Sequence, residues 1–557
     1  MKNTITKIIM LALIGLSNIS YGQTPNWVWT QSAGSTGNES SYSTITDAFG
    51  NVYVTGYYTS PTITLGTTTL TNTSAGSEDI FIVKYDASGN VLWAKGEGGS
   101  SYDWGISIAV DGSGNSFITG SFGSPSITFG ATTLTKTGSY LDLFIVKYDP
   151  NGNVLWAKKQ DGGGTTTDYP TSIAANDSGN VIITGSFSQG SITFGTTTLT
   201  NGSNFAPCTF IVKYDGNGNV LWAKSPTGNS SGSGVTTDAS GNVYVTGSFI
   251  TPTISFGTIT LSNADIINIS NDIFIVKYNA NGTALWARKQ TAGGTSNDYA
   301  NSVAVDTSGN VIITGNFLSP SITFGSNVLT NAGSSTGDIF IVKYGPTGTV
   351  LWARQQDAGG SLGDDAGSVA ADANGNVLVS GSFDSPTLSF GIITLTNAGS
   401  SGSDIFIVKY DPNGNLLWAK QQDSGGTGGD GVSSVAADNN GNVYVAGGFN
   451  SPSITFGATT LTNAGGNDMF IAKLATTTGI ENNILNNEVS VYPNPTTGLL
   501  FLSSSYNVTL TDLTGKIITQ EQNTNAIDIS NQPSGMYFLL LADNKGQIVK
   551  RSKVMKE

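Results

Sequence analysis

One hairpin is written seven times along this chain, and the seventh copy breaks off halfway. At residues 404–422 the text is DIFIVKYDPNGNLLWAKQQ: a strand ending at Tyr410, a tight turn through Asp411, Pro412, Asn413 and Gly414, and a second strand carrying Trp418. The same text recurs from Asp79, Asp142, Cys208, Asp272 and Asp338. From Asp468 only DMFIAKL is present, and no tryptophan follows it. The missing strand stands at the other end of the chain, as NWVWTQ at 26–31. Two complementary half-units at opposite ends predict an array that closes into a ring.

A second marker, Gly-Asn-(Val or Ser), places its asparagine at Asn51, Asn115, Asn180, Asn242, Asn310, Asn376 and Asn442, with spacings of 62 to 68 residues. Each unit holds four strand candidates, in the fifth copy 302–306, 310–317, 338–344 and 350–354. Turns such as Asp306-Thr307-Ser308-Gly309 join antiparallel neighbours, with Gly where a positive φ is wanted. Four antiparallel strands repeated seven times predict an all-β fold, a seven-bladed β-propeller closed by its N-terminal strand. Along 404–410, Phe406, Val408 and Tyr410 share one face and Ile405, Ile407 and Lys409 the other. A strand apolar on both faces needs cover from both neighbours, so stability accumulates between blades. Trp29, Trp93, Trp156, Trp222, Trp286, Trp352 and Trp418 hold equivalent places, each contributing roughly 2–3 kcal/mol on burial. An insert such as 319–333 reads as a short extra hairpin building one face of the disc.

Composition narrows the function. Charged residues make up 11% of the chain and Gly is abundant at 72, which suits short strands and tight turns rather than helices. The net charge of −14 includes no basic block, so nucleic acid is not an expected partner. Lys2 and Lys7 precede an apolar run at 8–16 and small residues near Gly22, so 1–22 reads as a secretory signal peptide. No later segment is long and apolar enough for an integral membrane helix. Cys208 is the single cysteine, so no intrachain disulfide is expected.

The chain has no histidine, which removes His-based triads and His-ligated zinc. Chemistry would rest on carboxylates, Tyr, Lys or a bound metal. The most suggestive set precedes the first strand of each unit: Glu39, Asp103, Asp168, Asp298, Asp364 and Asp430, with Ser230 in the remaining unit. Ser43, Ser107, Ser172, Ser302, Ser368 and Ser434 follow four residues later. Ringing a channel mouth, these acids would hold a cation or a polyol. The plainer alternative is an acid capping a loop while the serine bonds backbone. Asp79, Asp142, Asp272, Asp338, Asp404 and Asp468, with the lysines Lys84, Lys147, Lys213, Lys277, Lys343, Lys409 and Lys473, read as a structural pairing in each blade. The aromatics after the second strand, Tyr57, Phe122, Phe187, Phe249, Phe317, Phe383 and Phe449, read as core rather than as sugar platforms. Trp104, beside Asp103, breaks the repeat and is the better surface candidate. No metal site and no cofactor is expected.

After Leu474 the rhythm ends. VYPNP from Val491, Asp512-Leu513-Thr514-Gly515-Lys516, Ser534-Gly535-Met536-Tyr537 and a Lys-rich ending follow in order. This tail resembles the type A C-terminal sorting domain of the type IX secretion system of Bacteroidetes, which implies a small immunoglobulin-like β-sandwich and the secretion machinery as partner. The repeats resemble SBBP-type β-propeller repeats, carried by D-x-x-G-N-V-Y-V-T-G and F-I-V-K-Y-D-x-x-G-N-x-L-W-A-K. That family implies a fold and an exported setting, but no reaction. The expected organisation is a signal peptide (1–22), propeller (25–474), linker (475–487) and sorting domain (488–557). The expected function is an exported, cell-surface, non-catalytic propeller that binds an unknown surface glycan or protein, or serves as a scaffold. A carboxylate-based glycosidase or lyase, and a structural surface-layer or matrix component, stand as alternatives.

Overall fold

The computed structural model describes 25–475 and 490–557, apart from short stretches at 75, 163–167, 189, 203–205, 264–269, 293–295, 332–335, 359–362, 398–401, 423–427, 513–515 and 543–547. The expected signal peptide and all of the expected linker after Ala475 lie outside the described residues, as does the centre of the turn at 512–516. The chain divides after Ala475 into two compact units. Among the described residues every regular element is a β-strand.

Among the described residues the first unit is built from antiparallel sheets, six of them four-stranded. The sheet Asp364–Ala371, Val377–Phe383, Asp404–Tyr410 and Leu416–Gln422 represents them, with neighbours paired in chain order. The insert forms its own hairpin, here Thr387–Phe390 with Ile393–Thr396. In the hairpin the third strand is wholly buried, and its two faces belong to different cores. Phe406, Val408 and Tyr410 pack with Ile339 and Ile341 of the preceding sheet, whereas Ile405 and Ile407 pack with Val445 and Phe470 of the following one. The alternation read from the sequence is thus the alternation between two interfaces.

Asn26–Ala33 joins the sheet of Asp430–Ala437, Val443–Phe449 and Asp468–Ala475, pairing antiparallel with the last of these. Its register matches that of the other hairpins. Trp29 stands opposite Lys473, as Trp352 stands opposite Lys343 and Trp418 opposite Lys409. Each hairpin carries a one-residue irregularity beside the lysine, and the N-terminal strand carries the same one between Trp27 and Trp29. One core cluster contains Val52, Phe81 and Val83 together with Tyr444, Met469 and Ile471.

The tryptophans also bind across sheets. Trp352 Nε1 donates to Pro412 O at 3.0 Å, in the hairpin turn of the next sheet, and Lys343 Nζ donates to the same carbonyl at 3.4 Å. Trp93 and Lys84 share Pro150 O in the same way, each at 3.1 Å. Trp29 and Lys473 share Ala87 O at 3.1 and 2.9 Å. A lysine and a tryptophan from opposite ends of the first unit therefore act as one hairpin.

The buried lysines find a different carboxylate from the one expected. Lys343 pairs with Asp306 at 2.9 Å and Lys409 with Asp372 at 2.8 Å, aspartates of the turn between first and second strands. Lys84 and Lys147 reach Asp47 and Asp111 at 3.7 Å. The aspartate opening the lysine's own strand serves the insert instead: Asp79 accepts from Thr73 N at 2.7 Å and Thr73 Oγ1 at 2.8 Å.

In the second unit, Leu499–Thr511 pairs with Val491–Tyr492, Ile517–Asp528 and Gly535–Ala542, and the last of these with Ile548–Lys556. Where a two-sheet sandwich is expected, hydrogen bonds join all five strands into one sheet. The register breaks between Phe501 and Tyr506, so one long strand serves both halves. Leu500, Leu510, Leu539, Leu541 and Val554 form its core.

Candidate functional site

The first strands of the repeats line a cavity of about 390 Å³, with residues 42–46, 106–110, 171–175, 233–237, 301–305, 367–371 and 433–437 on its wall. Each of these strands slips register by one residue against its second strand, for instance between Ser41 and Ser43 and between Ala300 and Ser302. The extra residue is Tyr42, Ile106, Thr171, Ser233, Asn301, Gly367 or Ser433, and every one of them lines the cavity. A bulge leaves its extra residue unpaired in the ladder and re-aims its side chain.

The serine after each bulge ties neighbouring sheets together. Ser43 Oγ accepts from Ile108 N at 3.3 Å, Ser107 Oγ from Ile173 N at 3.2 Å and Ser172 Oγ from Val235 N at 3.1 Å. Ser302, Ser368 and Ser434 accept likewise from Val369, Val435 and Thr44. Gly234 stands where the remaining serine would be. The constraint explains the pattern: the serine recurs because it bridges strands, whereas the bulged residue before it is free to vary.

The acids singled out from sequence are placed differently from the bulge ring. Glu39, Asp103, Asp168, Asp298, Asp364 and Asp430 are all buried, none more than 5% exposed. They bind the backbone that leads into the insert hairpin. Asp103 Oδ1 accepts from Gly123 N and Ser124 N at 3.1 and 3.2 Å, and its Oδ2 from Ser124 Oγ at 2.7 Å. Asp298 holds Leu318 and Ser319 in the same way, Asp364 holds Asp384 and Ser385, and Asp430 holds Asn450 and Ser451. Glu39 accepts from Ser35 N and Ser60 N, and Asp168 from Ser188 N. Burial pushes Asp103, Asp168 and Asp298 up to about 6, with a neighbouring aspartate (Asp79, Asp142 or Asp272) adding to the rise. Among the described residues no cluster of three or more metal-ligating side chains occurs.

Trp104 lies partly exposed and donates through Nε1 to Glu78 Oε2. Tyr102 stacks on it with ring centroids 6.2 Å apart. Tyr57 is not the core aromatic that its place in the text indicates. Tyr58 fills the position held by Phe122 and Phe383, opposite Asp79, while Tyr57 points to the other face and packs against Tyr42 at 5.4 Å. Two adjacent tyrosines hid a one-residue offset, and such an offset reverses the face. Neither Tyr42 nor Glu78 stands out in the sequence alone. The signal available was departure from the repeat, since the places of Tyr42 and Tyr57 hold small or polar residues or Ile106 in other copies.

A second irregularity sits in the third repeat. Asn176 replaces the turn aspartate there, and buried Lys213 donates to Gly241 O at 3.4 Å and Ala280 O at 3.2 Å. Burial pulls that lysine below its ordinary range.

Comparison with known proteins matches a stretch in each part of the chain. Residues 490–556 match the secretion system C-terminal sorting domain, and residues 96–121 match the β-propeller repeat termed SBBP. The chain carries a propeller repeat and a sorting domain of the type IX system, and this tail marks it for export to the cell surface or beyond. Over 516 residues it is 30% identical to an uncharacterized WD repeat-containing protein of Acanthamoeba polyphaga mimivirus, a match covering 77% of this chain and 36% of that protein. Over 112 residues it is 27% identical to the regulatory protein FlaEY of Caulobacter vibrioides, covering 20% of this chain and 12% of that one. The chain thus spans little more than a third, at most, of these curated relatives. Among solved structures, Sqt1 from Chaetomium thermophilum matches with a TM-score of 0.37 at 10% identity, covering 80% of this chain and 85% of that one. A fungal alcohol oxidase of the AA5 family in complex with copper matches at 0.38 and 10% identity, covering 96% and 99%.

Proposed function

We propose that the first unit is a seven-bladed β-propeller closed by Asn26–Ala33, and that it serves as a non-catalytic binding or scaffold module presented at the cell surface. The closure draws support from Ala87 O, which accepts from both Trp29 and Lys473 just as Pro412 O accepts from Trp352 and Lys343. Presentation at the surface draws on the sorting domain at 490–556.

The observation that carries the binding reading is the division of labour among the repeat positions. The buried acids hold the insert loops, the serines bridge the inner strands, and both recur. The bulged residues vary, from Tyr42 to Gly367, around a cavity of ligand-site dimensions. Repetition serves architecture, while variation at one ring of positions gives a rim that can discriminate. Affinity electrophoresis of the full chain through immobilised polysaccharides, beside capture of outer-surface proteins, tests this. Retardation or specific capture without release of reducing ends is expected. Polysaccharide cleavage, or the absence of any retained ligand in both assays, would overturn the reading.

A further inference from the structure

The cavity rim is not uniform, and one sector of it is aromatic. Tyr42, the bulged residue of the first repeat, is 37% exposed and lines the cavity. It packs against Tyr57 on the next strand of its own sheet. In the neighbouring sheet Tyr102, 52% exposed, stacks on Trp104 with their planes 27° apart. Glu78 joins the two pairs: it accepts from Trp104 Nε1 through Oε2, and its charge bears on both Tyr42 and Tyr57. Its backbone carbonyl receives Asp103 N at 2.8 Å, which fixes the carboxylate beside the aromatic strand.

None of these five side chains is demanded by the repeat. The place of Tyr42 holds Ser233 and Ser433 elsewhere, that of Tyr57 holds Ser121 and Ser248, and that of Trp104 holds Ser40 and Ser231. The copies with serine build the same sheets, so the rings are not there to fold the protein.

We infer that Tyr42, Tyr57, Glu78, Tyr102 and Trp104 form a saccharide-binding site at the cavity rim, for a neutral oligosaccharide of β-linked hexopyranose units. This deepens the binding role proposed above and rests on it. A β-linked hexopyranose with equatorial hydroxyls presents flat faces of axial C–H bonds, and exposed aromatic rings match such faces with little loss of side-chain freedom. The sector carries the groups a sugar rim needs: three phenol hydroxyls that both donate and accept, and the Glu78 carboxylate, which accepts strongly from ligand hydroxyls. Trp104 Nε1 holds one oxygen of Glu78, and among the described residues the other accepts no hydrogen bond. The cavity beyond is lined by Ser and Thr hydroxyls and small apolar groups, and at about 390 Å³ it admits a chain end rather than a protein surface. A neutral ligand suits this sector, where among the described residues Glu78 forms no ion pair.

The test is calorimetric titration of the full chain with cellotetraose, laminaritetraose and chitotetraose, repeated on Tyr42→Ser/Tyr57→Ser/Trp104→Ser. Every substitution restores a residue that the repeat already uses, so the melting temperature serves as the folding control. Binding of at least one oligosaccharide by the native chain, weakened about tenfold or more in the triple variant at an unchanged melting temperature, is the expected result. Should the triple variant fail to fold, Tyr42→Ser alone, at a bulge outside the core, carries the comparison. No heat with any of the three oligosaccharides overturns the inference. Undiminished binding by the variant moves the ligand elsewhere, and overturns the site while the broader binding role survives. A surface protein captured by the native chain and lost by the variant would overturn the saccharide assignment alone.

Discussion

Glu97 occupies a place where four other repeats carry glutamine, at Gln160, Gln290, Gln356 and Gln422. Burial raises its carboxyl to about 7, with Lys95 offsetting only part of the rise. A raised carboxyl binds its proton more tightly in the folded chain. Its contribution is therefore complete below the unfolded value near 4.5 and is lost as pH climbs through 7. Glu97→Gln should leave the melting temperature unchanged at pH 4 and raise it at pH 8, by an amount corresponding to no more than about 3 kcal/mol. Equal melting curves at pH 8 would show that Glu97 titrates as a solvated group. The buried turn aspartates behave oppositely. Burial pushes Asp306 and Asp372 up, but the hydrogen bonds from Lys343 and Asn310, and from Lys409 and Asn376, together with the lysine charges outweigh it and hold both below the usual carboxylate range, so their stabilisation fails only in acid. The sequence displays each of these residues, but not the burial that separates their roles. For the same reason Glu39 and Asp103 read as candidate ligands until their loop contacts are seen.

The hairpin is the best-determined element. Gly414 closes its turn with φ of +80°, and a Cβ there would meet Cδ2 of Trp352, in the preceding sheet, at 2.7 Å. Two demands coincide, a left-handed backbone and a tryptophan face from the next interface. Gly414→Ala should cost more than the left-handed penalty of roughly 1–2 kcal/mol, because Trp352 must also move. Gly391 has φ of +60° and nothing within 4 Å, so Gly391→Ala should show the conformational penalty alone. Urea unfolding of the two variants reads the difference, and equal losses would count against the tryptophan contact. Strands and turns of this kind were legible because period-two alternation and D-x-x-G are local signals. The bulges were not, since Ser41-Tyr42-Ser43 alternates no differently from an unbroken strand. The aromatic sector at Tyr42 and Tyr57 was hidden by the same offset.

On the scale of the whole first unit, stability is shared among interfaces, and one of them joins residues near 30 to residues near 470. Val52 and Phe81 lie in one cluster with Tyr444 and Ile471, so the chain termini of this unit meet in its core rather than at a loose end. The displaced tryptophan strand makes that partnership legible in the sequence alone. The ring is tested most directly by moving the strand. Deleting 26–33 should lower the melting temperature sharply or prevent folding, because it bares the edge of Asp468–Ala475 and removes the Trp29 contact to Ala87. Inserting the same eight residues after Ala475, through the five-residue turn used at 411–415 and ahead of the C-terminal tail, should restore the native melting temperature. An unchanged melting curve on deletion, or no recovery on reinsertion, would contradict closure of the ring by this strand.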